Sequence, residues 1–352
     1  MAGLSDTGKM DQASASEGEL GAALLAAARM AGIDATAIAG LKRLSGGASK
    51  ETWAFDLVKA SGERQRLVLR RQPPGRSFSS QGLGSVVREA AIMRFAASAE
   101  LPVPQIAFEL PAGSSAGDGF AMARIDGETV GGRVLRLPEL AGALGGMARR
   151  CGDILARLHA ARGFDSLGLE TRGARDALDA LEERYRATAQ LRPVFEYALG
   201  WLRGNLPVER QRVLLHGDFR NGNLVVGREG IRAVLDWELA HIGPPAYDLA
   251  WMCVPSWRFQ RPEFPVGGFG TREELIAGYE AAGGAPVDRA ELHAWEVFQT
   301  LNWGVMCAGV GQAFMEGAGA RTVEGGVIAR RASETEFDLL RMLVPDHEAW
   351  RG

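Results

Sequence analysis

The chain has 352 residues, of which 46% are hydrophobic and 24% charged, with a formal net charge of -3. That is the composition of a globular protein long enough for two lobes and a sizeable core, and its charge gives no reason to expect nucleic-acid binding. Three cysteines, Cys151, Cys253 and Cys307, are odd in number and far apart. They form neither a disulfide framework nor a zinc spacing, which favours a reducing cytoplasm. The first twenty residues lack the apolar core of a signal peptide, and no run of about 18 apolar residues offers a membrane span.

Residues 1–18 are rich in Ser, Ala, Gly and acids and are expected to be disordered. Residues 19–30, rich in Ala and Leu, should form a helix. Residues 41–57 contain L-S-G-G-A-S-K-E-T-W-A-F-D-L and read as strand, glycine turn, strand. Gly46 and Gly47 let the backbone approach a ligand closely, although a Gly-Gly between strands is also an ordinary hairpin. A third strand, R-L-V-L-R-R, follows at 66–71; alternation sends Arg70 and Arg71 to opposite faces. A helix over 86–97 carries Glu89, nineteen residues after Arg70. Strands are expected at 105–110 and 119–125, the latter holding Met122, Ala123 and Ile125.

From Pro138 the pattern turns helical. Leu144, Met147, Cys151, Ile154, Leu155 and Leu158 make an apolar stripe that closes at Leu158-His159. Residues 175–204 are helical and charged. The segment 255–270, P-S-W-R-F-Q-R-P-E-F-P-V-G-G-F-G, is a long aromatic and basic loop. Two readings stand for it: a substrate mouth with Trp257 and Arg258 as contacts, or a cover over the core. Helices are expected at 271–282, 288–310 and 323–343.

The stretch 214–238, L-L-H-G-D-F-R-N-G-N-L-V-V-G-R-E-G-I-R-A-V-L-D-W-E, gathers the chemistry. Residues 224–226 and 231–235 read as two strands of a hairpin around a G-R-E-G turn. Asn223 stands before the first strand and Asp236 after the second, positions that an antiparallel pair places roughly 5 Å apart at Cα. Two carboxylates, Asp218 and Asp236, and the Asn223 amide are oxygen donors, which suit magnesium better than zinc.

H-G-D-x-x-x-x-N followed by D-W-E, with D-L-A at 248–250, resembles the signature of the aminoglycoside phosphotransferase and choline kinase-like family, distant relatives of the protein kinases. The closer likeness is to bacterial phosphotransferase-family proteins and to the kinase-like domain of some acyl-CoA dehydrogenases. It extends over nearly the whole chain after about residue 20. The resemblance implies an α+β, bilobal protein kinase-like fold. Residues 19–125 would be a small N-lobe with an antiparallel sheet plus helix, and residues 126–352 a larger, mainly helical C-lobe with the catalytic hairpin.

It also implies the roles. Asp218 is the catalytic base, His216 fixes its loop, and Asn223 and Asp236 hold magnesium. The loop of Gly46, Gly47 and Ser49 cradles the phosphates of ATP. Arg70 stands where kinases place a lysine, and Glu89 is its helix partner; the plain alternatives are a strand-end arginine and a surface glutamate. Met122, Ala123 and Ile125 would meet adenine. Glu238, Trp257 and Arg258 would face a small-molecule hydroxyl substrate, and Asp248 would brace the catalytic loop. His159 reads as a structural hydrogen-bonding residue. The expected activity is ATP- and magnesium-dependent phosphotransfer to a hydroxyl, on a hydroxyacyl or hydroxyacyl-CoA compound in preference to an aminoglycoside. A metal-dependent hydrolase built on His216, Asp218, Asp236, His241 and Asp248 leaves Asn223 and the strand-rich N-terminal part unexplained. A non-catalytic nucleotide-binding module docking on a partner enzyme is the other alternative, kept open by the arginine at the lysine position.

Overall fold

The computed structural model describes residues 7–44, 50–74, 85–207, 211–317 and 322–346. The chain divides into two compact units: Met1–Asp126 with Ala233–Leu239, and Gly127–Arg232 with Ala240–Gly352. The stretch Ala233–Leu239, expected in the second lobe, therefore groups with the first.

The first unit contains helix α1 (Thr7–Met30), strands β1 (Ala35–Arg43), β2 (Glu51–Lys59) and β3 (Arg64–Gln72), helix α2 (Val86–Ser98), and strands β4 (Ile106–Glu109) and β5 (Asp118–Ala123). The strands form one antiparallel sheet in the order β1-β2-β3-β5-β4. Trp53, Phe55 and Leu57 of β2, Leu67 and Leu69 of β3, and Leu20 and Leu24 of α1 share a core. Leu67 and Leu69 are fully buried; each such side chain contributes about 1.5–3 kcal/mol. Helix α1 begins at Thr7, within the stretch 1–18 for which disorder is expected; residues 1–6 lie outside the described residues.

Helix α2 starts where the Ser85 hydroxyl accepts from the Arg88 amide, 3.2 Å away, a side-chain N-cap. Its buried face holds Val86, Ala90, Ile92, Met93 and Ala96, and Glu89 lies among them.

The second unit is mainly helical: α3 (Gly131–Val134), α4 (Ala141–Ala160), α5 (Ala174–Ala187), α6 (Pro193–Asn205), α7 (Ala246–Trp251), α8 (Arg272–Ala281), α9 (Arg289–Glu316) and α10 (Val323–Leu343). Strands β6 (Val213–Leu215) and β9 (His241–Gly243) pair antiparallel, with Leu215 opposite His241. Strands β7 (Leu224–Gly227) and β8 (Gly230–Val234) form the expected hairpin, and the chain passes from the second unit into the first within β8. Helices α4 and α8 approach closely because glycine stands at the contact. A Cβ on Gly278 would lie 2.0 Å from the Arg149 carbonyl oxygen, and one on Gly152 2.1 Å from that of Leu275.

Candidate active site

In the second unit the loop after β6 is set by one buried acid. Asp248, in the first turn of α7, is wholly buried. Its Oδ2 accepts from the His216 amide at 2.7 Å and its Oδ1 from the Gly217 amide at 2.9 Å. Two successive N–H groups converge on one carboxylate because Gly217 adopts φ +80°, a backbone nest that favours an anion. Burial alone would raise the Asp248 pKa; the His159 contact and the charges and amide of the histidine loop reverse that and hold it below the ordinary value. His159 Nε2 lies 3.4 Å from Asp248 Oδ2, and its Nδ1 lies 3.0 Å from the Tyr279 hydroxyl. The brace expected of Asp248 and the structural part expected of His159 are both present.

His216 is fully buried, and its Nδ1 accepts from the Asp218 amide at 3.1 Å. That bond fixes Nδ1 as the unprotonated nitrogen. The Asp218 carboxylate accepts from Trp251, Arg220 and Asn223. Trp251 Nε1 at 2.7 Å and Arg220 Nε at 2.9 Å reach Oδ1; Asn223 Nδ2 reaches Oδ2 at 2.5 Å. Asn223 Nδ2 also donates to the Asp218 carbonyl at 2.9 Å. Both neighbours are acceptors, so the amide nitrogen must face them and the amide oxygen must point elsewhere. Asn221 ties the loop to the Gly267 carbonyl at 2.7 Å.

The first unit holds a second charged group. Arg70 Nε donates to Glu89 Oε2 at 2.9 Å, and its Nη2 lies 2.6 Å from Asp236 Oδ1 and 3.0 Å from Glu238 Oε2. Arg71 points to the other face, where it pairs with Glu51 at 2.6 Å and lies over the Trp53 ring. Burial pulls the Arg70 pKa down, but Glu89, Asp236 and Glu238 together raise it, so the guanidinium stays charged. Lys50, only 6% exposed, reaches Glu89 at 2.9 Å and Glu238 at 2.8 Å. Asp236 has φ +66°, a left-handed conformation that costs a residue other than glycine on the order of 1–3 kcal/mol and concentrates at functional sites.

The remaining expected residues divide. Gly46, Gly47 and Ser49 lie outside the described residues. The amides of Ala123 and Arg124 are engaged by the Gln105 and Arg66 carbonyls. Met122 lies within β5, and Ile125 follows the strand. Glu238 sits with Lys50 and Arg70 in the first unit, whereas Trp257 and Arg258 belong to the second.

Trp257 is 4% exposed and packs on Trp251 and Trp303, with Arg220 stacked 4.6 Å over its ring. Arg258 Nη2 donates to the Cys253 carbonyl at 2.8 Å, and burial lowers its pKa. Trp257 is thus a buried indole and Arg258 the donor to a turn carbonyl; burying the indole removes a large apolar area from water. Sequence reasoning missed Lys50, Arg220 and Trp251. Their signals are short: a lysine in S-K-E-T after the Gly-Gly, the arginine of H-G-D-F-R-N, and the indole of D-L-A-W.

The probable acyl-CoA dehydrogenase IBR3 of Arabidopsis thaliana is 27% identical over 340 residues, 86% of this chain and 40% of that protein. The chain spans less than half the length of the curated acyl-CoA dehydrogenase relatives it matches. A solved Ralstonia eutropha protein described as an aminoglycoside phosphotransferase superposes with a TM-score of 0.70 at 20% identity, covering 91% of this chain and 97% of that one. An aminoglycoside phosphotransferase solved as a ternary complex with ADP and hygromycin B gives 0.57 at 20% identity, covering 87% and 95%. These structures share the kinase-like α+β fold. The model of the phosphotransferase enzyme family matches residues 40–295, and the chain belongs to that family.

Proposed function

We propose that this protein transfers the γ-phosphate of ATP, with magnesium, to a hydroxyl group of a small molecule. The observation that carries the reading is the Asp218 carboxylate, held by Trp251, Arg220 and Asn223 on a loop that Asp248 braces. The substrate hydroxyl oxygen forms a bond to the γ-phosphorus as the bond from that phosphorus to the β-bridging oxygen breaks. The hydroxyl proton passes to Asp218, and ADP leaves. The transition state of such a transfer is loose, so Asp218 chiefly orients the nucleophile. The donors Trp251, Arg220 and Asn223 suit that task, because they fix the carboxylate's position.

The donor chemistry fits a hard cation. The Asn223 amide, turned by Asp218 so that its oxygen is the outward atom, and the Asp236 carboxylate are the groups that would hold magnesium. The ion would neutralise charge on the phosphates. His216 keeps the loop in register. Gly46, Gly47 and Ser49 would meet the phosphates, with Arg70 and its partner Glu89 beside them. Met122, Ala123 and Ile125 would flank the adenine. The ADP complex of the similar aminoglycoside phosphotransferase supports a nucleotide as the phosphate source.

For the acceptor we favour a hydroxyacyl or hydroxyacyl-CoA compound over an aminoglycoside. The relatives described as acyl-CoA dehydrogenases support an acyl substrate, and phosphorylation would turn its hydroxyl into a leaving group. Polycationic aminoglycosides call for a strongly acidic pocket, and the loops after the catalytic hairpin carry no dense acidic run. Glu238, Trp257 and Arg258 are the residues we assign to substrate contact, and Trp257 carries the Arg220 guanidinium stacked on its ring. The deciding experiment supplies radiolabelled ATP and magnesium with hydroxyacids, hydroxyacyl-CoAs, aminoglycosides, amino-alcohols and sugars. Label on the hydroxyacyl class alone is expected. Label on aminoglycosides alone would overturn the substrate assignment, and ATP binding without transfer to any acceptor would favour the non-catalytic module.

A further inference from the structure

Four charged side chains of the first unit close into a ring in which each carboxylate oxygen is shared by two cations. Lys50 Nζ lies 2.9 Å from Glu89 Oε2 and 2.8 Å from Glu238 Oε2. Arg70 Nε lies 2.9 Å from the same Glu89 oxygen, and Arg70 Nη2 lies 3.0 Å from the same Glu238 oxygen. Charge alternates around the ring and sums to zero. Asp236 stands outside it, attached through Arg70 Nη2 at 2.6 Å. Lys50 is 6% exposed and Glu89 1% exposed, so this is not a solvated lysine resting on a surface.

We propose that Lys50 is a positioning residue of the phosphoryl-transfer site: by sharing Glu89 and Glu238 with Arg70 it lets Arg70 Nη2 also fix Asp236, a role that presupposes the phosphotransferase reading. Removing the lysine charge would leave Arg70 facing the two ring glutamates and Asp236 alone. An uncompensated buried carboxylate is costly, and the guanidinium would be drawn toward Glu89 and Glu238. Asp236, in a backbone region that only its surroundings sustain, would lose the contact that holds it. Partners that orient a metal-binding group in this indirect way change metal affinity by about 10–100-fold when removed. The single strand lysine of a protein kinase would thus be replaced here by two cations, one on β3 and one at the entry to β2.

The test uses the full chain, manganese as the probe metal and a non-hydrolysable ATP analogue, with bound manganese read by electron paramagnetic resonance. Lys50→Met is expected to weaken manganese binding in the presence of the analogue by about 10–100-fold, and Lys50→Arg to bind within a few-fold of wild type. The double variant Lys50→Met/Glu238→Gln restores charge balance to the ring and is expected to recover most of the lost affinity. If Lys50→Met does not fold, the double variant carries the test, because a balanced ring predicts a folded protein with near wild-type affinity. A Lys50→Met protein that binds manganese as wild type does, or a double variant no better than Lys50→Met, would overturn the role. Wild type that binds no manganese with the analogue would overturn the phosphotransferase reading itself, and the role with it.

Discussion

Replacing Asp248 by alanine removes the acceptor for two buried amides, those of His216 and Gly217, at 2.7 and 2.9 Å. Each buried donor left without a partner costs about 1–3 kcal/mol, and His159 loses its neighbour as well. The sum is about 4 kcal/mol, a large part of the roughly 5–15 kcal/mol that holds a domain folded. For a unit of this size that corresponds to a fall in melting temperature of roughly 8–16 °C. Urea unfolding of wild type and variant, followed by tryptophan fluorescence, measures the difference.

The pH dependence supplies a second signature. Asp248 has its pKa lowered in the folded protein from the ordinary 3.8. Its stabilising contribution is complete above that ordinary value and is lost as pH falls through the depressed folded value. The gap between wild type and Asp248→Ala should therefore be constant near neutrality and narrow only below about pH 4. A variant within about 0.5 kcal/mol of wild type, the range of an ordinary surface change, would refute the claim that this acid organises the loop.

Other consequences follow from single contacts. Asp236→Ala should weaken binding of magnesium-ATP while leaving the melting temperature within a few degrees, checked by calorimetry with and without magnesium. Gly278→Ala puts a methyl group 2.0 Å from the Arg149 carbonyl oxygen, so α4 and α8 must separate; a loss of about 1–3 kcal/mol is expected in urea unfolding. Asp338 is pushed by burial up to about 6, more than the nearby arginines pull it down. Its ionisation then works against folding, so its contribution to stability falls as pH rises from about 4 to 6. Asp338→Asn should raise the melting temperature at pH 7 and leave it nearly unchanged at pH 3.5.

Much of this layout was legible in the residues, because its motifs are short and local. The loop H-G-D-x-x-x-x-N closes on itself through the Asn223–Asp218 bond, five residues apart. Strand alternation alone assigned Arg70 and Arg71 to opposite faces, and the structure pairs them with Glu89 and Glu51 respectively. Contacts between distant parts of the chain left no such mark. Lys50 meets Glu238 across 188 positions of sequence, and nothing in S-K-E-T signals that partner. Trp251 and Arg220 reach Asp218 through tertiary packing that no periodicity encodes. Trp257 and Arg258 stand in an aromatic-basic loop whose composition fits a substrate mouth and a core cover alike, so the packing of its indole on Trp251 and Trp303 was not legible either.

The most direct test of the central claim compares Asp218→Asn with wild type in two assays on the same preparations, phosphoryl-transfer turnover and magnesium-ATP affinity. Asparagine keeps the shape and gives up the proton acceptor. Turnover should fall by about 10²–10⁴-fold, the usual contribution of a positioned base, while affinity for magnesium-ATP stays within a few-fold of wild type. A variant that kept most of its turnover, or lost it only in step with its affinity for ATP, would contradict the assignment of Asp218 as the residue that receives the substrate proton.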